Sequence, residues 1–198
     1  KNPLASFCVH ANYELNNKTG KMKKRHPYKK SGVLSIEEVL IEPGGMPATC
    51  SMLMRTEYIN QYPVYDLPCP VGDRSRRMFL IDKGPALYID DLMCVYRVNN
   101  SNSFGGQLYN YNKSIKLVEE MNTFFDLYNN YTNFKYASYI KLLKEREIIS
   151  HYVRFKKYDQ IVKTEFYKKY YTFIDKIKLF VKWRLSPLYV IYKKKNNI

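Results

Sequence analysis

The chain has 198 residues and is strongly basic, with 33 Lys and Arg against 18 Asp and Glu and a formal net charge of +15. A hydrophobic content of 45% is enough to build a core and excludes wholesale disorder, while no run approaches the ~18 apolar residues that a membrane-spanning helix needs. The charge is uneven: residues 141–198 carry sixteen basic and five acidic side chains, and a cationic tail of that kind seeks a polyanion such as anionic lipid, nucleic acid or an anionic glycan.

No secretory leader is visible, and the chain opens on Lys1, directly in an extended segment, as expected of a trimmed domain or fragment. Residues 4–15 alternate loosely (Leu4, Phe7, Val9, Tyr13, Leu15) and predict a buried strand running into a polar turn at 16–20. Cys8 and His10 lie on that strand, where alternation accounts for their spacing better than half a metal site does. The four cysteines, Cys8, Cys50, Cys69 and Cys94, form no C-x-x-C pair. They read as buried, reduced thiols of a cytoplasmic protein. Residues 21–30 (KMKKRHPYKK) form a basic loop, either solvated or a flap that meets phosphate or an anionic acceptor. Ser35 followed by Glu38 is a capping-box pattern for a short helix.

Pro43-Gly44-Gly45-Met46-Pro47 is a turn cluster whose glycines make a bend or let backbone approach a ligand. It is not a phosphate-cradling loop, because no Gly-Lys-Ser/Thr follows. Residues 49–54 read as strand or early helix, and 56–61 as a short helix that ends before Pro63. Two further prolines lead into Val71-Gly72-Asp73, a turn in which Gly72 is free to take positive φ. Asp73 is placed either to cap the next helix or to serve as a general base at its mouth. Met78, Phe79, Leu80 and Ile81 form the apolar part of that helix, and Gly84-Pro85 stops it. Arg74, Arg76 and Arg77 read as its solvated face, or place one guanidinium on an anionic acceptor. Two strand segments follow, 86–89 and 92–96, broken at Asp90-Asp91. Arg97 faces a ligand or forms an ion pair with Asp90 or Asp91.

Residues 99–107 form a loop, and beyond it the composition turns to long amphipathic helices. These are expected over 114–128, 135–155 and 160–183, with a break at 129–133. In the last of them Phe166, Tyr170, Phe173, Ile174, Ile177, Phe180 and Val181 form one stripe, the pattern of a core face. Residues 177–195 (IKLFVKWRLSPLYVIYKKK) mix apolar, aromatic and basic residues. They read as an interfacial helix on an anionic membrane or as a terminal helix packed on its own domain.

Gly72-Asp73, a helix, Lys83-Gly84 and a strand closing in Tyr96-Arg97-Val98 together resemble the C-terminal half of a family 2 glycosyltransferase, especially bacterial members that build surface glycans. Residues 2–22 (NPLASFCVHANYELNNKTGKM) are similar to the strand and hairpin after that family's Asp-x-Asp, and 47–55 (PATCSMLMR) to the segment before its acceptor site. The resemblance implies an α/β fold. Residues 1–107 would be the acceptor-side half of a GT-A-like mixed sheet with flanking helices, and 108–198 an all-helical extension with a basic, membrane-associating tail. It implies Asp73 as the base of an inverting transfer, within Gly72-Asp73 where many members have Glu-Asp. In the family the region of Thr49 and Ser51 lines the acceptor pocket, so these two either contact the acceptor or simply hydrogen-bond at an element end. Gly44 and Gly45 are candidate substrate-binding residues, and Arg97 faces the diphosphate or forms the ion pair. Asn99 stands where many relatives carry a histidine. The implied partners are a nucleotide-sugar donor, a glycan or lipid-linked acceptor and, through residues 177–198, the inner face of the cell membrane. A divalent Mn or Mg is implied in the complete enzyme, its ligands at an Asp-x-Asp expected before Lys1, so no metal ligand is assigned within the chain. The alternative class is a non-catalytic basic module for membranes or nucleic acid. No helix-turn-helix, zinc-finger or RNP signature supports nucleic acid.

Overall fold

A computed structural model describes residues 2–42, 45–101 and 103–184. The protein is mixed α/β, with a five-stranded mixed sheet and several helices. Strand β1 (Phe7–Asn16) is its centre, and alternation buries Phe7, Val9 and Ala11 on one face. The edge of β1 is shared by two short antiparallel partners: β4 (Met52–Met54) covers its first residues and β2 (Met22–Arg25) its last. On the other side β5 (Ala86–Val98) runs parallel to β1 along its whole length, and β3 (Gly32–Leu34) closes the sheet antiparallel to β5.

Two expectations are corrected here. The basic stretch 21–30 is not all loop: β2 forms because Lys23 lies opposite Glu14 and pairs with it at 2.8 Å. The break at Asp90-Asp91 is a bulge within one continuous strand, with His10 opposite Ile89, Ala11 opposite Leu92 and Asn12 opposite Cys94. Its polar groups are satisfied locally. The Asp90 carboxylate accepts from His26 (2.7 Å) and Tyr88, and its N–H donates to Ser31 Oγ (2.8 Å).

Helix α1 (Ile36–Ile41) starts with the capping box read from sequence, Glu38 N–H donating to Ser35 Oγ (3.1 Å) and Ser35 N–H to the Glu38 carboxylate (2.9 Å). After the 3-10 turn Thr49–Ser51 and the single-turn α2 (Thr56–Ile59), helix α3 (Gly72–Leu80) lies beside α1. These two helices are a shared layer. Val39, Phe79 and Leu80 pack on the sheet, while Leu40, Ile41 and Met78 pack on the C-terminal helices. Burial on both sides explains why the apolar residues of α3 are consecutive rather than striped.

The loop after β5 contains one helical turn, α4 (Phe104–Gln107), capped by Ser103. Helix α5 (Tyr111–Tyr131) and helix α6 (Ala137–Arg154) pack together and supply about half of the second core. Tyr128 OH reaches across to the Met78 carbonyl (2.8 Å), tying α5 to α3. The predicted helix over 160–183 is instead three: α7 (Tyr158–Ile161), α8 (Glu165–Tyr170) and α9 (Phe173–Arg184). Hydroxyl caps restart the chain, Thr164 accepting from Tyr167 N–H and Thr172 from Asp175 N–H. The restart turns the stripe outward, so Phe173 is 78% exposed and Phe180 57%, and Ile174, Ile177 and Val181 are exposed too; Leu179 faces the core instead. Residues 185–198, most of the predicted membrane tail, lie outside the described residues. Among the described residues no helix is long and apolar enough to cross a membrane.

Candidate functional site

The mouth of α3 meets the turn Thr49–Ser51. Asp73 is not the cap: that position is Val71, which has no side-chain capping bond, and Asp73 is the second helical residue. Its Oδ1 still accepts a first-turn N–H, that of Arg74 (2.8 Å), and its Oδ2 accepts the Thr49 hydroxyl at 2.6 Å. A carboxylate is favoured at this end of a helix by the backbone dipoles. Asp73 is half-buried and Thr49 exposed, so the pair is reachable from solvent. Gly72 takes helical rather than positive φ, because it is already the first residue of α3.

Thr49 also lines a small cavity of about 80 Å³ with Asn12, Glu14, Arg25 and Tyr96. The buried Asn12 Oδ1 in its wall has no hydrogen-bond partner among the described residues. The Tyr-Arg segment of β5 therefore borders the same turn that holds Asp73. Arg97 is exposed and is not part of that cavity wall, since alternation along β5 sends it to the face opposite Tyr96. Asp90 is taken by His26 and Tyr88 rather than by Arg97. Asn99, just past the strand, adopts a left-handed conformation (φ 62°).

Ser51 is buried and donates to the Ala48 carbonyl (2.7 Å), closing its own turn. Gly45 has φ 93°, a left-handed conformation that favours glycine; a Cβ there would fall 2.1 Å from Arg25 Nη2, the mobile end of a long side chain that can move aside. Gly44 lies outside the described residues. Cys50, expected to be buried, is exposed, and its Sγ is 3.2 Å from that of Cys94 on β5. Burial, with Cys50 as close neighbour, pushes the Cys94 thiol up to about 11.

A group that sequence reading missed stands directly behind Asp73. Arg74 and Arg77, expected on a solvated face, are buried; Arg77 is 2% exposed. Spaced i, i+3, they share the face of α3 that meets α1 and α6. Glu42, just past the end of α1 in a left-handed conformation, pairs with Arg77, with Arg146 of α6 and, at 3.6 Å, with Arg74. Glu147 takes the other side of Arg74. Burial alone would raise the Glu42 pKa, but Arg77, Arg146 and Arg74 hold it down at about 2. Burial also works against the charge of Arg74, yet Glu147 and Glu42 more than restore it and raise its pKa. These charges lock α1, α3 and α6 together and so fix the helix end that carries Asp73. The only signal in sequence was two arginines on the apolar side of a short helix.

Chemically, the arrangement offers a solvent-reachable carboxylate on a rigid helix end, oriented by one hydroxyl, with lone pairs left to receive a proton. Among the described residues no three His, Cys, Asp or Glu side chains converge as a metal-ligand set, and the 198 residues contain no Asp-x-Asp. Comparison of the chain with protein-family models, curated proteins and solved structures finds no match.

Proposed function

We propose that the chain is the acceptor-side half of an inverting family 2 glycosyltransferase with a GT-A-like fold, and that Asp73 is its general base. The observation that carries this reading is the Thr49–Asp73 hydrogen bond. It joins two residues singled out separately from sequence, on a rigid helix end open to solvent. In the proposed reaction Asp73 accepts the proton of an acceptor hydroxyl. The freed oxygen attacks the anomeric carbon of a nucleotide-activated sugar from the face opposite the leaving group. The nucleoside diphosphate departs with the electron pair of the broken bond, and the configuration inverts.

Thr49 orients the carboxylate, and the buried arginine–glutamate group holds the helix that presents it. Gly72, Gly45 and Asn99 are proposed to shape the approach of substrate, with Arg97 turned toward the diphosphate. A divalent Mn or Mg would neutralise the departing diphosphate, held by an Asp-x-Asp outside residues 1–198. The division into a catalytic half (1–107) and a helical extension (108–198) belongs to the same reading, as does a surface-glycan acceptor. We further propose that residues 177–198 meet the inner face of the cell membrane, a reading supported by the exposed apolar side chains of α9.

The test is Asp73→Asn in the full-length enzyme, assayed for sugar transfer. Loss of activity with unchanged donor binding supports the base assignment. Near-normal turnover removes it.

A further inference from the structure

A cleft of about 570 Å³ opens between α6 and α9, within the size range of small-molecule sites. Arg146 and Arg154, two turns apart, line one wall, and Lys178 and Lys182, one turn apart, line the other. Two carboxylates share the lining, and only Glu42 is neutralised by cations. Glu42 is buried among Arg74, Arg77 and Arg146, and Asp175 accepts the Thr172 hydroxyl (2.6 Å) at the start of α9. Arg154, Lys178 and Lys182 have no ion-pair partner among the described residues. The floor between the walls is aromatic, with Phe166 and Tyr171.

Arg154 is half-buried, and its desolvation is only partly offset by the field of the more distant Glu147, so its pKa is lowered. Arg154, Lys178 and Lys182 outnumber Asp175, the lining carboxylate with no cationic partner among the described residues, and such an excess of like charge at a concave surface raises the local concentration of anions. Three cations around one opening suit a multiply charged oxyanion better than a single carboxylate, and the guanidinium fork matches phosphate geometry.

We propose that this cleft binds a small phosphate ester, with Arg154, Lys178 and Lys182 taking the phosphate and the Phe166–Tyr171 floor taking its organic body. The assignment goes beyond the transferase reading and does not depend on it. The phosphate comes either from a soluble ester or from a lipid headgroup.

The experiment is titration calorimetry of the intact protein with inorganic pyrophosphate, at an ionic strength held constant with NaCl. Saturable binding is expected, weakened about tenfold by Arg154→Gln and by Lys182→Gln. Lys182 is exposed, so its variant keeps the fold; circular dichroism and Tm verify both proteins. A lipid headgroup is identified as the source when phosphatidylcholine vesicles with phosphatidic acid, a phosphate monoester, displace the bound pyrophosphate and phosphatidylcholine–phosphatidylglycerol vesicles do not. Vesicles that leave it bound identify a soluble ester. Heat no greater than that of NaCl alone, or equal affinity in both variants and the parent, overturns the proposal.

Discussion

Thr49 and Asp73, 24 residues apart in the chain, meet through a 2.6 Å hydrogen bond from the threonine hydroxyl to the aspartate carboxylate. One lies on a 3-10 turn that precedes an edge strand, the other on the first turn of a helix. Neither local element would hold the pair without the other. The bond is therefore a property of how α3 docks beside the sheet.

Under the proposed transferase reading, Asp73→Asn is expected to lower kcat by roughly 10²–10⁴-fold, the range for loss of a general base. Thr49→Ala removes only the orienting hydroxyl and should cost less, about tenfold. Steady-state kinetics of the two variants check the order. A Thr49→Ala loss equal to that of Asp73→Asn would show that the hydroxyl acts on the substrate itself.

The buried charges make a prediction about acid stability. The Glu42 pKa is depressed from 4.5 to about 2, so the folded state binds its proton less readily than the unfolded chain does. Its contribution is fully present above pH 4.5 and is lost as the pH falls toward 2. A shift of this size corresponds to about 3 kcal/mol. Glu42→Gln leaves Arg77 and Arg146 without their shared counter-ion and should destabilise by roughly 3–5 kcal/mol at neutral pH. Urea unfolding from pH 7 down to pH 2 should show a shallower acid decline in the variant.

Cys50 and Cys94 predict a specific oxidation product. Their sulfurs are 3.2 Å apart, so little movement separates two thiols from a disulfide once an oxidant such as diamide removes two electrons and two protons. Thiol titration after oxidation should find two fewer reactive groups, and peptide mapping should join the segments around residues 50 and 94. Cys50→Ser should abolish the cross-link. The bond would clamp the Thr49 turn to β5, and under the proposed transferase reading oxidation should suppress sugar transfer and dithiothreitol restore it.

The outward face of α9 predicts membrane affinity. Burying a phenylalanine is worth about 1.5–3 kcal/mol, and Phe173 and Phe180 are both exposed. Co-sedimentation with phosphatidylglycerol vesicles should fall at least tenfold in Phe173→Ser/Phe180→Ser and in a chain ending at residue 176. Equal sedimentation of all three proteins would assign α9 another role.

Local chemistry alone determined the central strand, the capping box at Ser35, the helix between Asp73 and Gly84 and the two long helices that follow. Each depends on side-chain period, caps or backbone breakers within a few residues. The tertiary structure decided what depends on distant partners: that Arg74 and Arg77 are buried, because Glu42 and Glu147 reach them from other elements. It likewise decided that Asp90-Asp91 bulges rather than breaks the strand, because β1 continues beside it and His26 and Tyr88 take the carboxylate. The α9 stripe turned outward for the same kind of reason: apolar periodicity defines a face, but only docking fixes which face meets the core, and Leu179 won that place.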